Sequence, residues 1–421
     1  VDLLRACAIL MVVLGHWLVS AVTVADGRLG GVNLLGELTW THPFTWVFQV
    51  MPVIFLVGGY ANAASWAAHR RRGGSAAGWV LARALRLLCP AAVFLLALVV
   101  GYAIALGAGA DPEVARRSVW AAAMSLWFLV VYLAVVAIAP ALLRWHERWG
   151  PAGVLPLVGA VAAGDAARVL TGSSTPAAAS YLLAWVAVHQ LGVAWNAGVL
   201  TRTRRPAAVL AGGGLVALLT LVTWGPYAVT MVGAAPPPHL DNTASPTLAL
   251  LALAAAQSGA LLLLRPVADR WLTRPRVWLS VVAVNGVAFT LYLWHMVPVV
   301  LAGAGLVATG VFPDPAVGSA AWWWLRVPWL AVLATLLLAV VAVVGRWEHR
   351  PTPSAQDEPL PLVVATGVVA CLAGLAGLGF GGTDGMLPAV AGVPVAELLL
   401  VGGGFTLLSR VGRPGPGRVR H

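Results

Sequence analysis

The sequence contains no lysine. All 26 of its basic residues are arginine, set against 15 acidic ones, and charged residues make up only 10% of the 421. A soluble globular domain carries about 25%, so a soluble surface for a chain of this size is excluded. Cysteine is almost as scarce. Cys7, Cys89 and Cys371 lie far apart in apolar stretches, which supports neither a disulfide framework nor a metal centre. No His, Cys, Asp or Glu cluster has metal-ligand spacing, so no metal is expected. The net charge of +11 raises the question of nucleic acid. The distribution answers it, because the arginines fall in short loops between apolar runs, and no nucleic-acid partner is expected. No polar stretch is long enough to form a soluble catalytic domain.

What is present is hydrophobic: 60% of the residues, with a mean hydropathy of +0.88. About twelve apolar runs are legible, near 3–24, 44–66, 79–106, 118–143, 151–170, 178–200, 206–226, 247–265, 281–304, 321–345, 360–380 and 386–408. Most are near the ~20 residues that a spanning helix needs. A bilayer leaves no partner for an open backbone, so helices are expected, and the shorter alternating segments of a barrel are not seen. The expected fold class is all-α, a polytopic membrane protein. If the N-terminus lies in the cytoplasm, only Arg28, Arg116, Arg117, Arg168 and Arg326 fall on the outer side, and the other 21 of the 26 fall inside. That is a strong positive-inside bias. It places the basic tail, 410–421, beside the N-terminus, so both termini are expected to be cytoplasmic and the helix count even. Segment 346–359 (RWEHRPTPSAQDEP) reads as a proline-broken linker before two more spans over 360–409. On the outer side, 26–43 carries Glu37 and His42 and has the length of a lid, and 233–246 is a proline-rich irregular loop.

Polar residues inside these runs are the candidates for chemistry. Arg5 and His16 are eleven residues apart, which is roughly 16 Å of helical rise and close to three turns, so they share a face. With Arg5 at one edge of a core ~30 Å thick, His16 falls near its middle. A histidine there is costly unless it faces protein, water or substrate. The plain alternatives are a snorkelling anchor and a packing hydrogen bond. The second run holds Gly58, Gly59, Tyr60 and Asn62. At the entry to the third, Arg70, Arg71 and Arg72 read as a topology signal. Arg83 and Arg86 are i, i+3 neighbours whose two guanidiniums suit a phosphate-bearing ligand or, equally, lipid headgroups. The fourth run begins SLWFLVVYL, with Trp127 and Tyr132. The ninth reads VNGVAFTLYLWHMVP, with Asn285, Tyr292, Trp294 and His295. The sixth holds His189 and Gln190. Asp165 and Arg168, also i, i+3, are expected to neutralise each other.

Taken together these stretches resemble the acyltransferase 3 family of membrane O-acyltransferases. VDLLRACAILMVVLGH is similar to its Asp-x-x-Arg opening and its arginine–ten–histidine signature, through Asp2, Arg5 and His16. FLVGGYANA resembles its Phe-x-x-(Ser/Gly)-Gly-(Phe/Tyr) motif, and LARALRLLCP its Arg-x-x-Arg-Leu-x-x-Pro motif through Arg83, Arg86 and Pro90. SLWFLVVYL and LYLWHMVP resemble its Leu-Trp-Phe-Leu and Tyr-Leu-x-His-x-Pro blocks. The resemblance covers about 1–345. Ser125 stands where a histidine often precedes the Leu-Trp-Phe-Leu block, the last two helices lie outside the minimal unit, and the fused hydrolase-like domain common in the family is not found.

The resemblance implies a ten-helix acyltransferase bundle plus about two further helices, in a bacterial inner (plasma) membrane. It implies acyl-CoA, acetyl-CoA first among them, as donor. Arg83 and Arg86 would hold its phosphates, with Arg5 near them and Asn62 on the same cytoplasmic side. His16 would be catalytic, either as general base or as carrier of the acyl group, with Arg5 as its companion. Trp127, Tyr132, His295 and Glu37 would line the acceptor side, and the acceptor would be a hydroxyl of a cell-surface glycan, a glycolipid or a secondary metabolite. The rival class is a twelve-helix secondary transporter using the same intramembrane His, Asp and Arg as a relay. The absence of paired halves in the sequence weighs against it.

Overall fold

The computed structural model describes residues 1–25, 28–348, 359–383, 385–387, 389–390 and 392–411. In chain order the elements begin with α1 (Asp2–Val19), β1 (Ser20–Ala25), β2 (Arg28–Asn33), α2 (Leu34–Glu37), α3 (Thr45–Phe48), α4 (Met51–Arg71), α5 (Ala76–Gly107) and α6 (Pro112–Ala123). They continue with α7 (Leu126–Trp149), α8 (Leu155–Thr171), α9 (Ser180–Asn196), α10 (Arg204–Trp224), α11 (Leu248–Leu272) and α12 (Pro275–Gly286). The last are α13 (Ala288–Trp294), α14 (Val297–Ala302), α15 (Ala320–Glu348), α16 (Pro361–Phe380) and α17 (Val395–Val411).

Among the described residues nine stretches are long and apolar enough to cross a membrane, or ten if the bent pair α12 and α13 counts as one span. Three sequence expectations differ from this picture for local reasons. The first helix, expected to reach Thr23, stops at Val19, and the β-branched run of Val22, Thr23 and Val24 pairs as a strand with β2 instead. The run 118–143 is two helices, because the chain breaks between α6 and α7 at Met124 and Ser125. The run 281–304 is broken at Val287 and again at His295 and Met296. Of the expected linker, α15 takes up its start as far as Glu348, and 349–358 lie outside the described residues, as do 412–421 of the basic tail.

By internal contact the chain divides into two units. One comprises Val1–Gly15, Asn33–Ala67 and Ile138–Gly286, and the other His16–Val32, Ala68–Ala137 and Val287–His421. In the first, α4 and α9 approach without side chains between them. A Cβ added to Gly59 would lie 2.0 Å from the His189 carbonyl oxygen, and one added to Gly192 would lie 2.0 Å from that of Leu56. Small residues permit this backbone contact where lipid gives no hydrophobic drive for helix pairing. The outer loop after α10 is irregular, as its prolines require, but it is tied down. Asn242 donates to the carbonyls of Ala228 (2.8 Å) and Thr230 (2.9 Å), and Trp46 and Gln49 donate to Val229 and Met231 (both 2.7 Å). Asp165 and Arg168 do not form an ion pair among the described residues. Asp165 accepts from the Leu248 N–H (2.8 Å) and the Tyr227 hydroxyl (3.2 Å), while Arg168 donates to the Ser245 carbonyl (3.2 Å). Burial, then the neighbouring Asp165, push the Tyr227 phenol up, so it stays a donor. Backbone groups at the loop take the direct hydrogen bonds, while the two opposite charges still act on each other.

In the second unit, α16 and α17 pack on each other and both reach α5. The hairpin β1–β2 is held from the segment that leads into α15. Arg326, nine-tenths buried and 3.6 Å over the Trp322 ring, donates to the Ser20 carbonyl (3.2 Å), and Asp314 accepts from the Val24 N–H (2.6 Å).

The contact of α4 with α9 yields a test. Gly59→Val should abolish monodisperse protein on size-exclusion chromatography in detergent. Gly212→Val on α10, where an added Cβ meets nothing within 4 Å, should elute as the parent does.

Candidate active site

The doubly broken span carries the site. The span breaks between α12 and α13 at Val287, and a second break leaves His295 between α13 and α14. Backbone broken at membrane depth is tolerated where protein re-satisfies it, and the bonds that do so are visible. The Trp17 indole N–H donates to the His295 carbonyl at 2.7 Å. His295 Nδ1 lies 2.6 Å from the Tyr292 carbonyl. A carbonyl only accepts, so Nδ1 carries the proton and, in the neutral ring, Nε2 keeps its lone pair. That Nε2 is buried with no hydrogen-bond partner among the described residues.

His16 lies beside it. Trp17 places α1 against the break, and the His16 and His295 rings stand 4.9 Å apart between centroids, tilted by 47°. His295 is 1% exposed, whereas His16 is half-buried. One imidazole of the pair is therefore sealed and the other keeps an accessible edge. His16 and His295, chosen from sequence on separate spans, thus come together.

An aromatic wall continues from the pair. Tyr292 packs edge-on against Phe128 (5.1 Å), Phe128 stacks on Tyr132 (5.3 Å), and Trp127 meets Phe128 at 6.3 Å. Trp127, Tyr132 and His295, expected together on the acceptor side, are joined by this wall. The Tyr292 hydroxyl donates to the Ser125 carbonyl at 2.7 Å, so the break between α6 and α7 is capped from α13. Ser125 contributes its backbone there, and its own hydroxyl has no partner among the described residues.

α5 carries the donor candidates into the same unit. Arg83 lies 5.4 Å over the Trp79 ring, and Arg86 is exposed. Further along α5, Phe94 packs edge-on against Trp294 at 5.2 Å, next to His295. Arg83 and Phe94 are eleven residues apart on one helix, roughly 16 Å of rise on nearly one face. The guanidiniums and the histidine neighbourhood are therefore set at two points along one rod.

Three expected site residues belong to the other unit. Asn62 is fully buried, and its amide nitrogen sits 3.2 Å from His189 Nε2. It is a packing partner of α9 in the first unit, with no exposed edge to offer a donor. Glu37 ends α2, exposed, also in the first unit. Arg5 pairs with Asp2 at 3.6 Å near the start of α1. It keeps the i+11 relation to His16 on one continuous helix, and its ion-pair partner is a carboxylate of its own first turn. Two residues take site roles that the sequence reading does not give them: Trp17, which it does not single out, and Tyr292, which it names without a role. Trp17 follows His16 directly, and an indole N–H inside a span always needs an acceptor. Tyr292 stands three residues before His295, the spacing of helical neighbours.

Residues 1–347 match the family model of the acyltransferase 3 family, described as an acyltransferase domain. The chain belongs to this family. No curated protein and no solved structure matches it. As a family member with nine or more apolar helices among its described residues, it is a multi-pass membrane acyltransferase. The match ends before α16, so α16 and α17 are additions to the family unit.

The capped break predicts the effect of a single oxygen. Tyr292→Phe strands the Ser125 carbonyl, which should cost about 1–2 kcal/mol and lower the thermal unfolding midpoint in detergent. Val216→Ala on α10, 64% exposed, serves as the control and should unfold near the parent.

Proposed function

We propose that this acyltransferase moves an acyl group from cytoplasmic acyl-CoA to an acceptor hydroxyl, with His16 as the reacting imidazole and His295 as the group that orients it. The observation that carries this reading is the pair of rings 4.9 Å apart, one of them fixed with its Nε2 lone pair free by the bond from Nδ1 to Tyr292. A lone pair held beside His16 favours the His16 tautomer whose N–H turns towards it. The other His16 nitrogen then carries the lone pair that takes a proton from a hydroxyl.

In the reaction, the acceptor oxygen forms a bond to the thioester carbonyl carbon as His16 takes its proton. The C–S bond then breaks, and the proton passes to the departing CoA thiolate. An acyl-imidazole on His16 is the variant with the same overall balance. The dry, aromatic surroundings strengthen each electrostatic contact in the step. Arg83 and Arg86 hold the donor phosphates as charge-assisted partners, and α5 spans the interval from them to the neighbourhood of His295. The acyl group is short, acetyl in the first instance. The acceptor is a hydroxyl of a surface glycan, a glycolipid or a secondary metabolite, with Trp127 and Tyr132 as its platform. The setting is the inner membrane of a bacterium.

Two expected outcomes test this reading. With purified protein in detergent, His16→Ala should abolish acceptor-dependent release of CoA from acetyl-CoA while the variant still inserts and purifies. His295→Gln should lower turnover by about 10²-fold, the scale of one lost general-base contribution. Near-parental turnover in His16→Ala would remove the proposed centre. Arg83→Gln with Arg86→Gln should raise KM for acetyl-CoA and leave KM for the acceptor unchanged. A shift in the acceptor constant alone would place the arginines on the wrong substrate.

A further inference from the structure

The clamp on the hairpin encloses a small pocket. Trp322, Leu325, Arg326 and Trp329 of α15 line it. They stand at i, i+3, i+4 and i+7, so they share one face of the helix. Val22 of β1, Val307 and residues 312–315 line it from the other side, and all of these belong to the second unit. The space, open mouth included, is about 320 Å³. That is the bottom of the ~300–1,000 Å³ range of small-molecule sites, room for one polar headgroup and not for a whole acyl donor.

Buried polar groups need partners, and two donors on this wall are short of them. Trp329 is 4% exposed, and its indole N–H has no hydrogen-bond partner among the described residues. Arg326 is 9% exposed and donates from one nitrogen to the Ser20 carbonyl. Most of its N–H groups are left without a protein acceptor, and neither that carbonyl nor the Trp322 ring beneath it carries a neutralising charge. A buried guanidinium and a buried indole N–H on one wall are complementary to an anionic oxygen.

Asp314 is on the same lining, exposed, with one oxygen accepting from the Val24 N–H. Among the described residues it does not pair with Arg326, because each is tied to the backbone of the hairpin instead. A cation and a carboxylate that share a pocket without meeting are complementary to a ligand that carries both charges. The setting supplies such ligands. On the orientation expected from the arginines, this end of α15 faces the outer side, and the run Trp322 to Trp324 reads as an interfacial aromatic belt. Trp324 is 80% exposed and Val327 70%, so the helix face beside the pocket is open to the bilayer.

We propose that this pocket holds the headgroup of an ethanolamine phospholipid, whose phosphate oxygens accept from Arg326 and Trp329 and whose ammonium donates to Asp314. The phosphate supplies the counter-charge that a buried guanidinium needs. The site is separate from the histidine pair and does not depend on the reaction proposed for it.

The test is native mass spectrometry of the delipidated full chain after incubation with dioleoylphosphatidylethanolamine, dioleoylphosphatidylglycerol or soluble O-phosphoethanolamine. The parent should retain one phosphatidylethanolamine in preference to phosphatidylglycerol by roughly tenfold, equivalent to about 1.4 kcal/mol, and no O-phosphoethanolamine. Trp329→Phe keeps a ring and drops the N–H, and should lower retention of both phospholipids about fivefold. Trp224→Phe on α10, 80% exposed, makes the same change away from the pocket and should leave retention unchanged. Asp314→Asn keeps an oxygen for the Val24 N–H and loses only the charge, so the preference for phosphatidylethanolamine should vanish. Equal retention of the two phospholipids by the parent overturns the proposal. So does parental retention in Trp329→Phe, an equal loss in Trp224→Phe, or a preference that survives in Asp314→Asn. Retention of O-phosphoethanolamine in place of the lipid would make the ligand a free phosphate ester and overturns it as well.

Discussion

One hydrogen bond sets the geometry of the site: the Trp17 indole N–H to the His295 carbonyl, 2.7 Å long and inside a membrane-embedded unit. A span that breaks in mid-membrane frees carbonyls that water would otherwise satisfy, and lipid cannot. Here the donor comes from α1, one residue after His16. Satisfying the break therefore brings His16 to its place. The same logic holds at the other break, where Tyr292 supplies a donor to Ser125. Two interruptions in the helical ladder are each repaired by an aromatic side chain from another helix, and the repairs converge on the histidine pair.

The two rings differ in surroundings in a way that fits the division of work proposed for them. His295 is enclosed and held through Nδ1, so its orientation is fixed before any substrate arrives. His16 keeps an accessible edge. Preorganisation of the buried partner and access to the outer one are the usual division between a group that orients and a group that reacts. The aromatic wall of Phe128, Tyr132 and Tyr292 extends that dry environment toward the acceptor side proposed for it.

Much of this was legible in the chain before folding. The charge deficit fixes the membrane class, the arginine–ten–histidine spacing marks α1, and the two histidine-bearing runs are visible as costly residues at depth. What the sequence hides is pairwise. Nothing in a linear reading shows that His16 meets His295 while Asn62 meets His189, since each is one polar residue on an apolar face. Asn62 looked available to a donor because its span is rich in small residues, but those glycines serve backbone contact with α9, which seals it. The Asp165–Arg168 spacing shows the opposite charges as neighbours, which they are, but not that their direct hydrogen bonds go to the groups around the loop after α10. Helix ends were misplaced where β-branched residues offered the chain a strand, as after Val19, and where a break left the apolar composition unchanged, as at Ser125.

The clamp on the hairpin carries a consequence of its own. Ser20 and Val24 are gripped by Arg326 and Asp314, two residues separated by the turn into α15, and the hairpin follows directly from the helix that bears His16. Tension applied to the start of α15 is thus delivered to the last turn of α1. A load on the far end of the family unit would be felt at the imidazole as a pull on a short tether, and the tether's strength is that of one guanidinium seated on an indole.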